Sequence, residues 1–311
     1  MHEEVSELSV AVPWGEIRGK IWGPDLGRPV LCLHGWADNC GTFNTLIPLL
    51  PKECRYVAVD LAGHGLSSHR PPGVFYTSLA YVADVRRVVD ALHWTKFSII
   101  GHSMGGDIAA MFSALYPEMV DALVLLDILG FFPKDPKQTP SMIRQGMDEL
   151  LQFEQNTEEK KNRVYSYEKA LERLLAANSK SISEHSARIL LERGLTRVEG
   201  GFKFSRDLRV NFKNLVQLTL EQSLEIQSRI QAPVLVVLGD KGYFGKSPES
   251  NQEKLNFAVF QGYRDRNHTV VTVPGSHHVH LNNPEVVAPL VSDFLQRTYS
   301  GHQLGELSHK L

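Results

Sequence analysis

The chain has 311 residues, of which 42% are hydrophobic and 22% charged, and its 33 lysines and arginines nearly balance its 35 aspartates and glutamates. This balance provides no field that would hold a polyanion, which argues against nucleic acid as a partner. No run approaches the ~18 consecutive apolar residues of a membrane span, and the acidic start Met-His-Glu-Glu lacks the pattern of a signal peptide.

Three cysteines, Cys32, Cys40 and Cys54, are odd in number and do not have the spacing of zinc ligands. They favour a reducing compartment, and we expect a cytoplasmic location, including the perinuclear region. Cys32 stands in the apolar run PVLCLHG, where an unpaired cysteine is usually a small core residue.

The first 130 residues alternate strand and helix patterns. The segments VSELSVAV and EIRGKIW alternate apolar and polar residues, which predicts a half-exposed antiparallel pair. Short apolar runs at 29–35, 56–63, 97–103 and 122–130 are typical of strands buried on both faces of a parallel sheet. The stretch 79–92 places its valines on one stripe, which predicts an amphipathic helix.

The pattern changes after residue 130. Three segments rich in Glu, Lys and Arg predict amphipathic helices within 131–227, and no buried-strand run occurs there. Strand runs resume at 233–240 and 268–275, each followed by a helical pattern. We therefore predict a core formed by residues 1–130 and 228–311, interrupted by a helical insertion over 131–227.

The strongest chemical signal is Gly-His-Ser-Met-Gly-Gly at 101–106, which fits GxSxG between a strand pattern and a helix pattern. A serine on such a sharp turn holds its hydroxyl above the sheet, and Gly101 and Gly105 must be small for strand and helix to approach. We interpret Ser103 as a nucleophile. The competing interpretation is a plain glycine-rich turn.

A second signal is Leu33-His34-Gly35-Trp36 at the end of an earlier strand. Acyl transfer creates an oxyanion that needs two N–H donors, and the residue after the nucleophile, Met104, would supply one. The backbone of Trp36 can supply the other. His34 is a candidate for substrate contact, although it can also be a hydrogen-bonded core histidine.

Four motifs occur in one order: HGW at 34–36, DLAGHGLS at 60–67, GHSMGG at 101–106 and GSHHVHLNNPE at 275–285. Together they resemble the α/β-hydrolase fold superfamily. The resemblance implies an α/β fold with a mostly parallel central sheet flanked by helices. It also implies a helical cap over 131–227, inserted after the strand that ends at Asp127, no cofactor, and the chain order nucleophile, acid, histidine.

The resemblance also implies the base. A serine hydroxyl needs a general base with a pKa near 7. In the superfamily this histidine precedes a helix introduced by HLxxPE, which corresponds to His277 and leaves His278 facing away. The HHxH pattern at 277–280 lacks a converging carboxylate or cysteine pattern, so we predict no metal site.

The acid departs from the superfamily pattern, because the usual position two residues beyond the strand-ending GD is Gly242. Asp240 is near but is expected to cap a turn. Asp127 closes the apolar strand ALVLLD, and some capped relatives, such as haloalkane dehalogenases, place their acid there. A buried carboxylate without a partner is costly, and we therefore favour Asp127 over Asp240.

A serine nucleophile indicates acyl chemistry, so we predict hydrolysis of a small hydrophobic ester, thioester or amide. Phe131 and Phe132 are candidates for contact with this small-molecule acyl substrate. The alternative is a catalytically impaired ligand-binding protein. This alternative would be favoured if neither Asp127 nor Asp240 lay within hydrogen-bonding reach of His277. The sequence leaves the oligomeric state open.

The last three residues, His309, Lys310 and Leu311, approximate the SKL peroxisomal signal. The first position of that signal normally holds a small residue. A peroxisomal address and a tail that happens to end in Lys-Leu therefore stay open as alternatives.

Overall fold

The computed structural model describes residues 5–155, 163–212, 218–244, 251–266 and 268–308. Its strands are β1 (Ser6–Val12), β2 (Gly15–Trp22), β3 (Arg28–Leu33), β4 (Cys54–Val59), β5 (Phe97–His102), β6 (Val120–Leu126), β7 (Leu195–Val198), β8 (Gly201–Phe204), β9 (Val234–Lys241) and β10 (Thr269–Ser276). Its helices are α1 (Ser78–Ala91), α2 (Met104–Leu115), α3 (Thr139–Gln155), α4 (Tyr167–Ala177), α5 (Glu184–Gly194), α6 (Leu220–Gln227), α7 (Asn251–Arg264), α8 (Val279–Asn282) and α9 (Pro284–Ser308).

Eight strands form one sheet in the order β1-β2-β4-β3-β5-β6-β9-β10. β2 is antiparallel to both of its neighbours, and the pairs from β4 to β10 are parallel. Parallel strands are buried on both faces, which explains why their sequences are nearly continuous apolar runs. The predicted α/β fold with a mostly parallel sheet is confirmed.

Two apolar layers cover the sheet. Residues of α1, α2 and α7 pack on one face, and residues of α9 pack on the other, together with the short 3₁₀ turns after β3. Cys32 is fully buried and unpaired within the second layer, as the sequence predicted. The carboxyl ends of the parallel strands meet at one edge of the sheet, and the loops that follow them form the site.

The segment 131–227 lies outside the sheet. It contains α3, α4, α5 and α6 and a two-stranded hairpin of β7 and β8. The hairpin residues are half-buried or exposed, so no apolar run marks them in the sequence. α4 and α5 pack on Leu281 of α8, which joins this segment to the core.

None of the helices in the described part of the chain is long and apolar enough to cross a membrane. The possible targeting residues 309–311 lie outside the described residues.

Candidate active site

Ser103 stands on the turn between β5 and α2, with φ 50° and ψ −122°. This left-handed backbone is strained for a residue with a side chain. The flanking glycines permit it: a Cβ on Gly105 would lie 2.1 Å from the carbonyl oxygen of Leu33, and one on Gly101 would lie 2.5 Å from Cα of Gly106. The small residues of the motif therefore let α2 start directly above β3 and β5.

His277 follows β10 and faces the serine. Its Nε2 lies 3.0 Å from Ser103 Oγ, and its Nδ1 lies 2.5 Å from Asp127 Oδ2. The ring is partly exposed, while the Asp127 carboxylate is fully buried. The geometry is that of a hydroxyl, a base and an acid connected in series by hydrogen bonds.

Asp127 follows β6 in a left-handed backbone conformation, with φ 48°. Its Oδ1 accepts a hydrogen bond from the N–H of Gly239 at 2.9 Å, and its Oδ2 accepts one from the N–H of Tyr243 at 3.0 Å. These two amides and His277 give the buried carboxylate three partners. These hydrogen bonds offset the free-energy cost of burying the Asp127 carboxylate away from water.

Neither Asp240 nor position 242, the two other candidates for the acid, offers a carboxylate to His277. Asp240 is exposed, and its Oδ1 accepts a hydrogen bond from the N–H of Gly275 at 2.8 Å, which braces a turn. A Cβ on Gly242 would lie 2.2 Å from Asp127 Oδ1. A side chain at 242 and the carboxylate of Asp127 would thus occupy the same space, which explains why a glycine stands at the superfamily's usual acid position.

The oxyanion donors predicted at Trp36 and Met104 follow two adjacent strands of the sheet, β3 and β5. Met104 is the first residue of α2, where helix amides have no partner within the helix. In the loop after β3, the N–H groups of Ala37 and Asp38 donate to His64 Nε2 and to Gly35 O, respectively. Among the described residues, the N–H of Trp36 has no acceptor, so it is available to a ligand. The half-exposed indole of Trp36 donates to the carbonyl of Val210 at 2.8 Å.

His34, which the sequence predicts to contact the substrate, is fully buried. Its Nδ1 donates to Gly35 O at 2.7 Å, and its Nε2 accepts from the N–H of Leu61 at 2.9 Å. Burial lowers the pKa of the ring, which stays neutral. Its burial and these two hydrogen bonds favour the alternative interpretation of His34 as a hydrogen-bonded core histidine.

Phe131, which the sequence also predicts to contact the substrate, is fully buried in the apolar layer beside α2. Phe132 is half-buried, and its ring meets Tyr243 edge-on at 5.8 Å. Tyr243 is 65% exposed and lies 6.1 Å from the His277 ring. The sequence analysis did not identify Tyr243 as a neighbour of His277. Its place directly after Gly242, the superfamily's usual acid position, was a usable signal.

A second group of polar side chains lies next to His277. Nε2 of His278 is 3.0 Å from Asp38 Oδ2, and Nε2 of His102 donates to the carbonyl of His277 at 2.9 Å. His278 thus faces away from Ser103, as expected. Asp38 is distant from these histidines in the chain, so no sequence pattern indicates that its carboxylate lies beside them.

The comparisons with known proteins agree with this architecture. The α/β hydrolase fold family matches residues 28–284. The chain is 51% identical to a serine hydrolase-like protein of Danio rerio over 99% of this chain and 95% of that one, and 42% identical to serine hydrolase-like protein 2 of Homo sapiens over 95% of each.

Among solved structures, a hypothetical protein from Pseudomonas aeruginosa superposes with a TM-score of 0.83 at 30% identity, over 94% of this chain and 99% of that one. The sheet order, the strained serine turn and these matches agree with one another. The chain belongs to the α/β hydrolase fold family.

Proposed function

We propose that the chain is a serine hydrolase that cleaves a carboxylic ester, thioester or amide through an acyl-enzyme on Ser103. The observation that carries this proposal is the hydrogen-bonded series from Ser103 Oγ through both nitrogens of His277 to the buried Asp127. Relatives named serine hydrolase-like proteins support the same class of reaction.

The reaction would proceed in two halves. Ser103 Oγ attacks the acyl carbon while His277 Nε2 accepts its proton, and the imidazolium then gives this proton to the departing alkoxide, thiolate or amine. The N–H groups of Trp36 and Met104 would stabilise the negative charge on the acyl oxygen. Water repeats the sequence, and its attack on the acyl-enzyme releases the carboxylic acid and restores Ser103.

The role of Asp127 in this scheme is to position His277. Its Oδ2 accepts the Nδ1–H of the ring, which fixes the tautomer whose Nε2 can take the serine proton. The carboxylate also stabilises the imidazolium that forms during the reaction. The short Asp127–His277 contact supports an active hydrolase over the alternative of an impaired binding protein, for which this hydrogen bond was expected to be missing.

The segment 131–227 would act as a cap over the site. It contacts three of the loops at the carboxyl edge of the sheet: Val210 accepts from Trp36, Ser181 accepts from Asn282, and Arg193 donates to Asp60. The ring of Tyr243 lies beside His277 and that of Phe132 lies against Tyr243, and these rings would suit a small hydrophobic acyl group.

A fluorophosphonate probe tests the proposal, because it phosphonylates an activated serine. The wild-type chain should be labelled, whereas Ser103→Ala should not. Ser141→Ala, on an exposed helical surface, serves as the matched control and should label like the wild type. Equal labelling of Ser103→Ala and wild type would overturn the assignment. Rates with p-nitrophenyl esters and thioesters of increasing chain length would then identify the acyl group.

A further inference from the structure

Three loops at the carboxyl edge of the sheet each contribute one buried side chain to a common point. Asp38 comes from the loop after β3, His102 ends β5, and His278 follows β10. One potential ligand atom from each lies within 4.8 Å of the others. The nearest separations are 3.0 Å from His278 Nε2 and 3.7 Å from His102 Nδ1, both to Asp38 Oδ2.

The protonation of His102 follows from its neighbours. Its Nε2 lies 2.9 Å from the carbonyl oxygen of His277, and a carbonyl can only accept, so Nε2 carries the hydrogen. The neutral ring therefore presents a bare lone pair at Nδ1. That atom is buried and has no hydrogen-bond partner among the residues that the structure describes. It faces a carboxylate oxygen, and a cation held between these two acceptors would satisfy both.

His278 allows the same arrangement. Its Nδ1 contacts the hydroxyl of Ser181, which can accept a hydrogen bond, and its Nε2 then presents a lone pair toward Asp38. A competing explanation is an ordinary hydrogen bond from His278 Nε2–H to Asp38. This bond would satisfy His278 and Asp38 but would leave His102 Nδ1 without a donor.

We propose that Asp38, His102 and His278 form a binding site for one divalent transition-metal ion of the borderline class, for which Zn²⁺ is the probe. Two imidazoles and a carboxylate are ligands that such ions prefer. Tetrahedral zinc places its ligand atoms about 3.4 Å apart, and the separations of 3.0 and 3.7 Å bracket this value. The hydrogen bonds from His102 to the His277 carbonyl and from His278 to Ser181 would orient both rings.

The location gives such an ion a structural consequence. His102 directly precedes Ser103, His278 directly follows His277, and Asp38 lies two residues beyond Trp36. An ion held by these three side chains would connect the three loops that carry the proposed nucleophile, base and oxyanion donor. Because none of its ligands is a member of the proposed triad, the site does not depend on the proposed function.

The test is metal binding to the full chain after treatment with a chelator and dialysis. Isothermal titration with ZnCl₂ should give about one ion per chain, and the bound ion should raise the melting temperature because it binds only the folded state. Co²⁺ should give the visible absorption of a nitrogen- and oxygen-ligated ion. His278→Gln and Asp38→Asn should each weaken Zn²⁺ binding about tenfold or more.

His185→Ala is the matched control, because this histidine is exposed on α5, and it should bind Zn²⁺ like the wild type. Asp38→Asn keeps the shape of the side chain, and circular dichroism of both variants separates loss of a ligand from loss of the fold. No stoichiometric binding to the wild type, or equal binding by both ligand variants, would overturn the site. Fluorophosphonate labelling of the metal-free chain reports separately on Ser103.

Discussion

At the scale of single residues, the proposed site concentrates backbone strain. Ser103 and Asp127 both have positive φ, and such conformations cost about 1–3 kcal/mol each unless their surroundings hold them. Here the amides of Gly239 and Tyr243 hold Asp127, and the glycine turn holds Ser103. The strained backbone thus belongs to the two residues whose side chains contact His277.

Replacing Asp127 by Asn tests its assignment as the acid. The neutral Asn amide cannot stabilise the imidazolium as the carboxylate does, and its N–H₂ group favours the tautomer of His277 that lacks the hydrogen at Nδ1. We therefore expect kcat to fall by about 10⁴ with little change in KM. Activity against the best ester substrate measures this directly.

Asp240→Asn is the control, because Asp240 only braces the turn at Gly275, and it should retain near wild-type kcat. The reverse result, with Asp240→Asn inactive and Asp127→Asn active, would transfer the role of acid to Asp240.

At the scale of elements, α2 and the strands that it covers depend on close backbone approach. α2 begins at Met104 against β3 and β5, and the glycines at 105 and 101 have no room for a side chain. Gly105→Ala places its Cβ against the backbone of Leu33, which cannot move without disturbing the sheet.

We expect Gly105→Ala to lower the free energy of unfolding by about 1–3 kcal/mol and to reduce fluorophosphonate labelling. Urea denaturation measures the first effect. Gly194→Ala, at the end of α5, is the control, because the nearest atom to its Cβ would be 3.7 Å away. Equal stability of the two variants would show that the α2 contact is looser than the distances indicate.

At the scale of the whole molecule, a buried ion pair joins the inserted segment to the core. Arg193 of α5 donates through Nε to Asp60 Oδ2 at 2.9 Å and through Nη1 to Glu7 at 2.6 Å. Asp60 is fully buried and also accepts from the N–H groups of Cys40 and Leu66. The loop after β4, strand β1 and helix α5 therefore meet at one guanidinium.

Arg193→Met removes the guanidinium but leaves Asp60 buried. An uncompensated buried charge is strongly destabilising, and we expect a loss of about 3–5 kcal/mol in the free energy of unfolding. Arg188→Met is the control on the same helix, since its ion pair with Glu184 is exposed to solvent and contributes little to stability. A loss for Arg193→Met no larger than for Arg188→Met would contradict the structural role.

Buried neutral histidines also make the stability of the whole chain dependent on pH. Burial lowers the pKa of His64 from its ordinary value of 6.5 to about 3. Between these values the unfolded chain binds a proton that the folded chain does not, so stability is present above pH 6.5 and falls as the pH decreases toward 3.

The slope from His64 alone is about 1.4 kcal/mol per pH unit. His34 contributes in the same direction. Urea denaturation at pH 7 and pH 5 should show the loss, and His64→Gln should reduce its slope. A variant with the wild-type slope would mean that His64 titrates normally in the folded chain.

The sequence by itself indicated where most core strands lie along the chain, the turn that carries Ser103, and the change from strand runs to helix patterns after β6. These features depend on local patterns: apolar runs, glycine spacing and a change in composition near residue 131. The tertiary structure decided the rest, because contacts between distant residues depend on where each side chain points. It placed Asp127, and not Asp240, next to His277, buried His34 and Phe131, and brought Asp38 to His278.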